Sequence, residues 1–311
     1  MASIEYKILL AAGHVSPDEA HQAYLRNLLA EKFDQNRLVE LAQKEGMSAL
    51  LYKSLKKTGI LGFFGHRQLQ QLQSLYYSTV QHNLQIVHDL KTILLHANEK
   101  RIQVVLLQGI ALLDKVYKDI GLRALTDIDL WILPENRTVF GNLMLQLGYQ
   151  QDPVYPNTFN KGKTIVDINS HILWADRIKS RKHLLAKSQH SIYDDIDSLL
   201  FQGQPAGCLN AVDQVLYLSL HAFKHSVSRL IWLVDIKQLI AGWEMADWKA
   251  LLNRAAELGQ VNIVYDLLYL LAHLFDFELP ADVNAMTTGK HLSWLERAIL
   301  HILSGWMKSK K

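Results

Sequence analysis

Two aspartates stand one residue apart in a stretch that otherwise has the composition of a buried strand. The stretch reads DIDLWIL and covers residues 127–133. In a strand, residues i and i+2 project from the same face, so Asp127 and Asp129 share one face while the apolar residues between and after them face a core. Two adjacent carboxylates repel each other unless a cation lies between them, and Mg²⁺ takes such oxygen ligands together with substrate phosphates. The alternative is an edge strand whose two aspartates are solvated or cap the following element.

A third carboxylate, Asp167, lies in the segment TIVDINSH, within a hairpin that is predicted to join the same sheet. Gly109 ends the strand that precedes the two aspartates and leads into a helix. Helix N-termini that follow a glycine turn are common phosphate sites. Three carboxylates on adjacent strands beside such a turn are the parts needed for two-metal phosphoryl or nucleotidyl transfer.

The elements that position these residues follow from the apolar period. In the first part of the chain the period is helical, and Ser16, Pro17 and Glu19 predict a capped start for a helix over residues 19–33. Apolar residues then recur every three or four positions and predict one long amphipathic helix that ends near Asn98. The chain therefore begins with a helical region, which we place at residues 1–100.

The period changes after this region. The sequence predicts five elements here, in this order: a strand over 102–107, a helix over 110–120, the aspartate strand, a helix over 135–149 and a hairpin over 157–174. From about residue 210 helices return: Asn210 is expected to cap the first, and the last is predicted over 291–308. The expected fold class is α+β and mostly α overall, with an α/β core at 101–209 between helical regions at 1–100 and 210–311.

Composition excludes several classes of protein. The 311 residues include 33 basic and 30 acidic ones, so the net charge of +3 argues against a long nucleic-acid track. The single cysteine, Cys208, rules out an internal disulfide and fits a reducing compartment. We expect no signal peptide in the opening segment, and the apolar stretch at 267–275 is too short to span a bilayer. A cytoplasmic protein with no membrane partner is predicted.

The residues around the two aspartates also carry a resemblance. The segment LLQGIALLDKVYKDIGLRALTDIDLWILPENRTVFGNLMLQLGY, residues 106–149, resembles the LKG-A-x-LY-x-x-x-G-L-R-x-x-x-D-I-D-L-L-V core of bacterial proteins described as uncharacterised nucleotidyltransferases. These form a branch of the polymerase-β-like superfamily. Similarity extends upstream to RLVELAQKEGMSALLYKSLKK and downstream to LYLSLHAFKHSVSRLIWLVDIKQLI, and covers roughly residues 25–240. The resemblance implies that the small mixed sheet is of the nucleotidyltransferase type.

The resemblance also implies roles for individual residues. Asp127 and Asp129 would hold a pair of Mg²⁺ or Mn²⁺ ions that bridges the triphosphate and the attacking oxygen. Asp167 would be the third ligand and would help to deprotonate the acceptor hydroxyl, so that attack on the α-phosphorus releases pyrophosphate. Gly109 would let backbone amides approach the phosphates, and Arg123 would be the fixed cation for the triphosphate, although an ion pair with a nearby aspartate is the alternative.

Two positions depart from the family pattern in the part that would bind phosphates. Gln108 replaces a lysine, and Ile110 replaces the serine or glycine of the superfamily. Lys161 and Lys163, in the hairpin turn ahead of the third aspartate, are candidates to supply the missing charge. His171 is expected on the face of that aspartate, where it would contact the acceptor or a phosphate, or else form a structural hydrogen bond.

Other pairs of residues have weaker chemical signals. His221 and His225 have the spacing of zinc ligands on a helix, but without a glutamate or cysteine partner they are better explained as polar groups lining a pocket or packing on the sheet. Arg229 and Asp235 are expected to form an ion pair that holds the C-terminal helices against the sheet.

Trp131, on the aspartate face, is a candidate apolar wall for a base, as is Leu133.

These residues together predict a Mg²⁺-dependent nucleotidyltransferase that moves an NMP, most simply AMP, from an NTP to a hydroxyl. The acceptor is left open between a small molecule, a protein side chain and the end of an RNA. Transfer of the γ-phosphate in the manner of a kinase is less favoured by the resemblance. The rival hypothesis is a nucleotide-binding or partner-binding protein that keeps the fold without turnover, for which Gln108 and Ile110 would argue.

Overall fold

The computed structural model describes residues 3–59, 61–173, 185–275 and 277–288. It has an α+β fold that is mostly helical, as predicted. The helices of the N-terminal region are α1 (Ile4–Ala12), α2 (Glu19–Ala30), α3 (Gln35–Lys44), α4 (Ser48–Thr58) and the long α5 (His66–Glu99).

The two helices predicted from capping and period are both present. Helix α5 ends at Glu99, one residue beyond the prediction. Helix α2 begins at Glu19, but its cap is Asp18, whose carboxylate accepts a hydrogen bond from the His21 N–H at 2.8 Å. The prediction of Ser16 as the cap was wrong because a carboxylate nearer to the first turn satisfies the free N–H groups and is favoured by the helix dipole.

The described residues form a seven-stranded mixed sheet with the order β3-β4-β5-β2-β1-β7-β6. Its strands are β1 (Val105–Leu106), β2 (Ile128–Trp131), β3 (Gln150–Gln151), β4 (Thr158–Lys161), β5 (Thr164–Asn169), β6 (Asp197–Phe201) and β7 (Gln204–Cys208). At the centre, β2 runs parallel to β5 and antiparallel to β1, while β1 runs parallel to β7. The predicted hairpin is confirmed as β4 and β5, with its turn at Gly162.

The hairpin formed by β6 and β7 was not predicted from the sequence. Its turn contains Gln202 and Gly203, both with positive φ. Pro205 and Gly207 lie in the second strand, and both residue types are depleted in strands. Pairing with β1, which is distant in sequence, holds this segment in the sheet.

The helix between β1 and β2 differs in form from the prediction. It consists of the short α6 (Gln108–Leu112) and a π-helical turn over Leu113–Tyr117, and it ends at Lys118, whose φ of +55° is left-handed. Its first residue, Gln108, lies two positions before the predicted start at residue 110. After β2, helix α7 (Arg137–Gln146) crosses the sheet.

A short helix, α8 (His190–Tyr193), precedes β6 and was not predicted. After β7 the described chain is helical, as predicted, with α9 (Ala211–Lys224), α10 (Leu230–Ile240), α11 (Met245–Leu258), α12 (Val261–Phe275) and α13 (Ala281–Thr288). Asn210 caps α9, because its side chain accepts a hydrogen bond from the Asp213 N–H at 2.9 Å. The predicted helix over 291–308 lies outside the described residues. Among the helices that are described, none combines the length and apolarity needed to cross a membrane.

The two faces of the sheet belong to different apolar cores. Ile128, Leu130 and Ile132 pack in the core that contains the C-terminal half of α5 and helix α7. Trp131 and Leu133 project to the other face, into a core that includes side chains of both the N-terminal and the C-terminal helices. The alternation along β2 therefore follows the prediction, and it turns the aspartate face towards these helices.

Candidate active site

The register of the central strands brings two of the predicted carboxylates together. In the parallel pair of β2 and β5, Asp129 lies directly opposite Asp167. Their neighbours Ile128 and Val166 pair in the core on the other face, so both aspartates project from the same face of the sheet. On the far side of β5, Thr158 lies opposite Asp167, and its hydroxyl donates a hydrogen bond to that carboxylate.

Asp127 stands immediately before β2 and is half-buried. Its carboxylate accepts a hydrogen bond from the Thr126 hydroxyl at 2.9 Å. Burial, with a further contribution from the negative charge of Asp167, raises the pKa of Asp127 above its usual value, while Arg123 and Arg229 act in the opposite direction. The structure thus places Asp127 within electrostatic range of Asp167, where a bound cation would favour the charged form of Asp127.

The chemistry of this donor set fits a hard divalent cation. All three side chains offer carboxylate oxygens, the ligands that Mg²⁺ prefers. Within the described ranges, no three His, Cys, Asp or Glu side chains are already arranged as a cage for a metal ion. Mg²⁺ usually binds to one or two carboxylates and completes its shell with substrate phosphates and water, so the set fits an ion that is shared with a nucleotide.

Gly109 brings the start of α6 close to the aspartates. The Leu107 N–H donates a hydrogen bond to the Asp129 carbonyl at 3.0 Å, which ties the end of β1 to β2. A Cβ atom on Gly109 would lie 2.8 Å from Leu125 Cδ2 and 3.6 Å from Arg123 Nη2. The absence of a side chain at this position therefore allows the backbone to approach the loop that carries Arg123.

Gln108, which precedes this glycine, has an uncommon backbone conformation. Its φ is +54°, in the left-handed region that non-glycine residues seldom adopt. Its side-chain amide donates a hydrogen bond of 3.4 Å to the hydroxyl of Tyr217 on α9. Gln108, which stands where the family pattern has a lysine, therefore contacts the C-terminal helices.

Arg123 is held in a buried ion pair with Asp235 on α10. Its Nε lies 3.0 Å from each carboxylate oxygen of Asp235, its Nη2 lies 2.9 Å from Oδ2, and its Nη1 donates to the Ala124 carbonyl at 2.6 Å. The Tyr117 hydroxyl donates to the same carboxylate at 2.5 Å. These bonds fix the guanidinium beside Gly109, and its predicted contact with a triphosphate stays a prediction.

The expected ion pair between Arg229 and Asp235 was wrong in its basic partner. Asp235 pairs with Arg123, which lies 112 positions away in sequence, although the pair does join a C-terminal helix to the sheet as expected. Arg229 is exposed at the start of α10 and close enough to Asp127 to lower its pKa. The residue expected to be structural thus lies within electrostatic range of one of the predicted carboxylates.

Asn83, on α5, is a site residue that the sequence analysis missed. It is fully buried, and its side-chain amide donates hydrogen bonds to the carbonyls of Ile120 at 2.6 Å and of Arg123 at 2.8 Å. Its side-chain oxygen accepts a hydrogen bond from the Leu125 N–H at 3.1 Å. One side chain therefore fixes the loop that leads into β2. The signal in the sequence was a polar residue on the apolar stripe of α5.

The histidines of α9 pack in an aromatic cluster. The rings of His221 and His225 are 4.8 Å apart, and both contact Trp232 on α10. Burial lowers the pKa of His221 to about 3, assisted by the neighbouring positive charges, so this ring is neutral at pH 7. These contacts join α9 to α10, and the interpretation of the two histidines as polar groups that line a pocket or pack on the sheet stays a prediction.

The other predicted residues have different positions relative to the carboxylates. Lys161 lies on the opposite face of the sheet, where it donates to the Leu147 carbonyl at 2.8 Å and lies over the Tyr149 ring, so it does not supply charge to this site. Lys163 is exposed in the same turn. His171, just after β5, accepts a hydrogen bond from the Leu173 N–H at 3.1 Å.

Trp131 does share the aspartate face, but it has no exposed surface and packs edge-on against Tyr193. Leu133, also on this face, is buried in the same core. Neither side chain therefore offers an open wall to a base in this conformation. Both help to hold β2 against the helices that cover the aspartate face.

Comparison with known proteins shows the family of this chain. Residues 31–276 match the family described as uncharacterised nucleotidyltransferase. The chain therefore belongs to this family of nucleotidyltransferases. An antigenic nucleotidyltransferase-like protein from Paracoccidioides brasiliensis is similar in structure, with a TM-score of 0.36 and 14% sequence identity over 64% of this chain and 95% of that chain. No protein with a curated description matches the sequence.

Proposed function

We propose that the protein is a Mg²⁺-dependent nucleotidyltransferase that transfers an NMP, most simply AMP, from an NTP to a hydroxyl group and releases pyrophosphate. The observation that carries this proposal is the position of Asp129 opposite Asp167, with Asp127 immediately before β2 and within electrostatic range of Asp167. Membership of a nucleotidyltransferase family supports it independently.

In this proposal the three carboxylates have distinct tasks. Asp127 and Asp129 hold the metal ions together with the triphosphate. When bound, the ions neutralise the charge that develops on the phosphate oxygens. Asp167 accepts the proton of the acceptor hydroxyl, and its bond to Thr158 orients the carboxylate for that transfer. The acceptor oxygen bonds to the α-phosphorus while the bond to the β-phosphate oxygen breaks, so that pyrophosphate leaves.

The phosphates need cations, and the contacts favour Arg229 for this role. Arg123 is bonded to Asp235 and acts mainly by holding its loop in place beside Gly109. Arg229 is exposed and lies within electrostatic range of Asp127, so its guanidinium is available to a triphosphate bound at the carboxylates. Gln108 would contribute a neutral amide at the same edge, with Lys163 and His171 further along the face.

The first experiment is a calorimetric titration of non-hydrolysable NTPs, with and without Mg²⁺. The samples are the wild type, the Asp127→Asn/Asp129→Asn variant and a control, Asp114→Asn/Asp194→Asn, which removes two exposed carboxylates elsewhere. We expect metal-dependent binding in the wild type and the control, and its loss in the first variant. Equal binding by all three proteins would place the nucleotide elsewhere and contradict the proposal.

Turnover is tested separately with a radiolabelled α-phosphate on the NTP and with candidate acceptors. Asp129→Asn should abolish metal-dependent transfer of the label to the acceptor while the circular dichroism spectrum stays unchanged. Unchanged turnover in this variant would place the chemistry at other residues. The acceptor hydroxyl belongs to a small molecule, a protein side chain or an RNA end, and the near-neutral surface charge favours the first two.

The second candidate function is a nucleotide-binding or partner-binding protein without turnover. Gln108 and Ile110 favour it, because they replace the lysine and the small residue that the family pattern has next to the phosphates. Two results together would support binding without turnover over transfer. One is metal-dependent NTP binding that is lost in Asp127→Asn/Asp129→Asn, and the other is that no acceptor gives pyrophosphate release.

A further inference from the structure

A separate cavity lies between the N-terminal helices and the end of the π-helical turn. Its wall includes Lys53 and Lys57 from α4, Lys115 and Lys118 from the turn and its end, and Tyr117 between them. The pairs are four and three positions apart on their own elements, and packing of the two elements brings all four lysines to the wall of one cavity, although the Lys115 amine is bonded to Asp197 and to the Cys208 Sγ outside that wall. None of the three predicted catalytic aspartates lines it.

The charge of this cavity is strongly one-sided. Asp119 is the only carboxylate in its wall, and it lies 2.7 Å from the amine of Lys53. Lys115 lies 3.4 Å from Asp197, which is outside the wall. Throughout the described ranges, neither Lys57 nor Lys118 takes part in an ion pair, and Lys57 donates instead to the Val15 carbonyl at 3.2 Å.

The four lysines and one carboxylate give the wall a formal charge of +3, but Lys53 is paired with Asp119 and Lys115 with Asp197, so among the described residues two positive charges, those of Lys57 and Lys118, lack an acidic partner. Like charges in one cleft repel each other, and a cleft of one sign concentrates counterions of the other. Lysine is a common point-charge ligand for phosphate. The cavity thus has the character of a polyanion site.

The backbone beside the cavity carries a second unusual feature. Residues 113–117 form a π-helical turn, a form that is rare and frequent at functional sites. Lys118 then adopts the left-handed conformation, which costs a non-glycine residue on the order of 1 kcal/mol or more. An uninterrupted α-helix would place Lys115 and Lys118 differently, so the irregular backbone determines that both residues lie in the wall of the cavity.

We infer that this four-lysine cavity is a binding site for a small polyanion that carries phosphate groups, separate from the carboxylate site. The amines of Lys57 and Lys118 contribute most, since neither is paired with a carboxylate in the described chain. Tyr117 lines the cavity and also bonds to Asp235, which holds Arg123, so an occupied cavity would touch the residue that supports the loop before β2.

The test is a calorimetric titration of inorganic triphosphate in the presence of EDTA, so that no metal-dependent site contributes. Lys57→Ala/Lys118→Ala removes the two unpaired amines. Lys56→Ala/Lys249→Ala is the matched control, because both of its lysines are exposed and outside the cavity wall. Asp127→Asn/Asp129→Asn is the third variant. The melting temperature of each variant is measured to confirm folding.

We expect Lys57→Ala/Lys118→Ala to weaken triphosphate binding by about tenfold or more, as expected for the loss of two charge contacts. The control and the aspartate variant should bind as the wild type does. No binding to the wild type, or an equal loss in the two lysine variants, would overturn the inference. Loss of metal-free binding in the aspartate variant would also overturn it, since the anion would then lie at the carboxylate site.

The same titration with ATP separates the two sources of such a ligand. Similar affinities for ATP and for inorganic triphosphate would identify the phosphate chain as the recognised group. Tighter binding of ATP that is equally sensitive to Lys57→Ala/Lys118→Ala would identify a nucleotide as the occupant, and also supports the site. ATP binding that is the same in the wild type and in Lys57→Ala/Lys118→Ala, together with no binding of inorganic triphosphate to the wild type, would refute the site.

Discussion

Replacement of Asp235 by asparagine tests whether a buried ion pair holds the loop before β2. The Asp235 side chain is 1% exposed and that of its partner Arg123 is 12% exposed. Three of the hydrogen bonds on this carboxylate come from Arg123, and a fourth comes from Tyr117. Asp235→Asn keeps the shape of the side chain but leaves the guanidinium without a counter-charge.

The expected cost follows from this geometry. Removing one partner of a buried pair leaves an uncompensated charge and typically lowers the free energy of unfolding by about 3–5 kcal/mol. In Asp235→Asn the amide oxygen still accepts one bond, so we expect a value near the lower end, about 3 kcal/mol. Arg123→Met should cost a similar amount, because it leaves the carboxylate buried without its cation.

The assay is urea unfolding followed by circular dichroism, with both single variants and the double variant. Because the double variant leaves no unpaired charge, its loss should be smaller than the sum of the single losses by about 2 kcal/mol. Asp194→Asn, at an exposed position, is the control and should change stability by less than about 0.5 kcal/mol. Additive losses, or a loss below about 1 kcal/mol for Asp235→Asn, would refute the buried pair.

Three further predictions use the same unfolding assay. Asn83→Ala should lower stability by about 2–4 kcal/mol, since it leaves three buried backbone groups of the loop without partners, and a cost like that of a surface change would contradict its bridging role. Gly121→Ala should cost about 1–3 kcal/mol because the new Cβ would lie 2.5 Å from a Tyr76 ring carbon, whereas Gly62→Ala meets no atom within 4 Å and should be close to neutral. Burial lowers the pKa of Lys237 to about 7, so between pH 7 and 9 the unfolded chain binds the proton that the folded chain has lost, and stability should rise with pH by about 2 kcal/mol. Lys237→Met should remove this rise, and an unchanged pH dependence in that variant would show that the amine is not the cause.

Much of the central sheet could be predicted because its signals are local. The alternation of aspartates with apolar residues over 127–132 specified the two faces of β2, and the core packing of Ile128 and Leu130 confirms it. The hairpin of β4 and β5 followed from its glycine turn. The long α5 followed from a helical period that its own residues impose, and the cap of α9 followed from Asn210.

The roles of the charged residues around the carboxylates could not be predicted in the same way. Arg123 was expected to bind a triphosphate and Arg229 to pair with Asp235, yet the fold pairs Arg123 with Asp235 and leaves Arg229 exposed near Asp127. Both arginines have the same chemistry. Which of them meets the buried carboxylate depends on where α10 packs against the loop, and no local pattern records that position.

The sequence alone determined the class of elements, the alternation of faces and the carboxylates that carry the proposed chemistry, because these depend on neighbouring residues. Only the tertiary structure decided that Asp129 faces Asp167, that Asn83 holds the loop, and that four lysines from two elements line one cavity. These contacts join residues far apart along the chain. They are selected by the packing of whole helices and strands, in which the burial of apolar surface outweighs the preference of any single polar side chain.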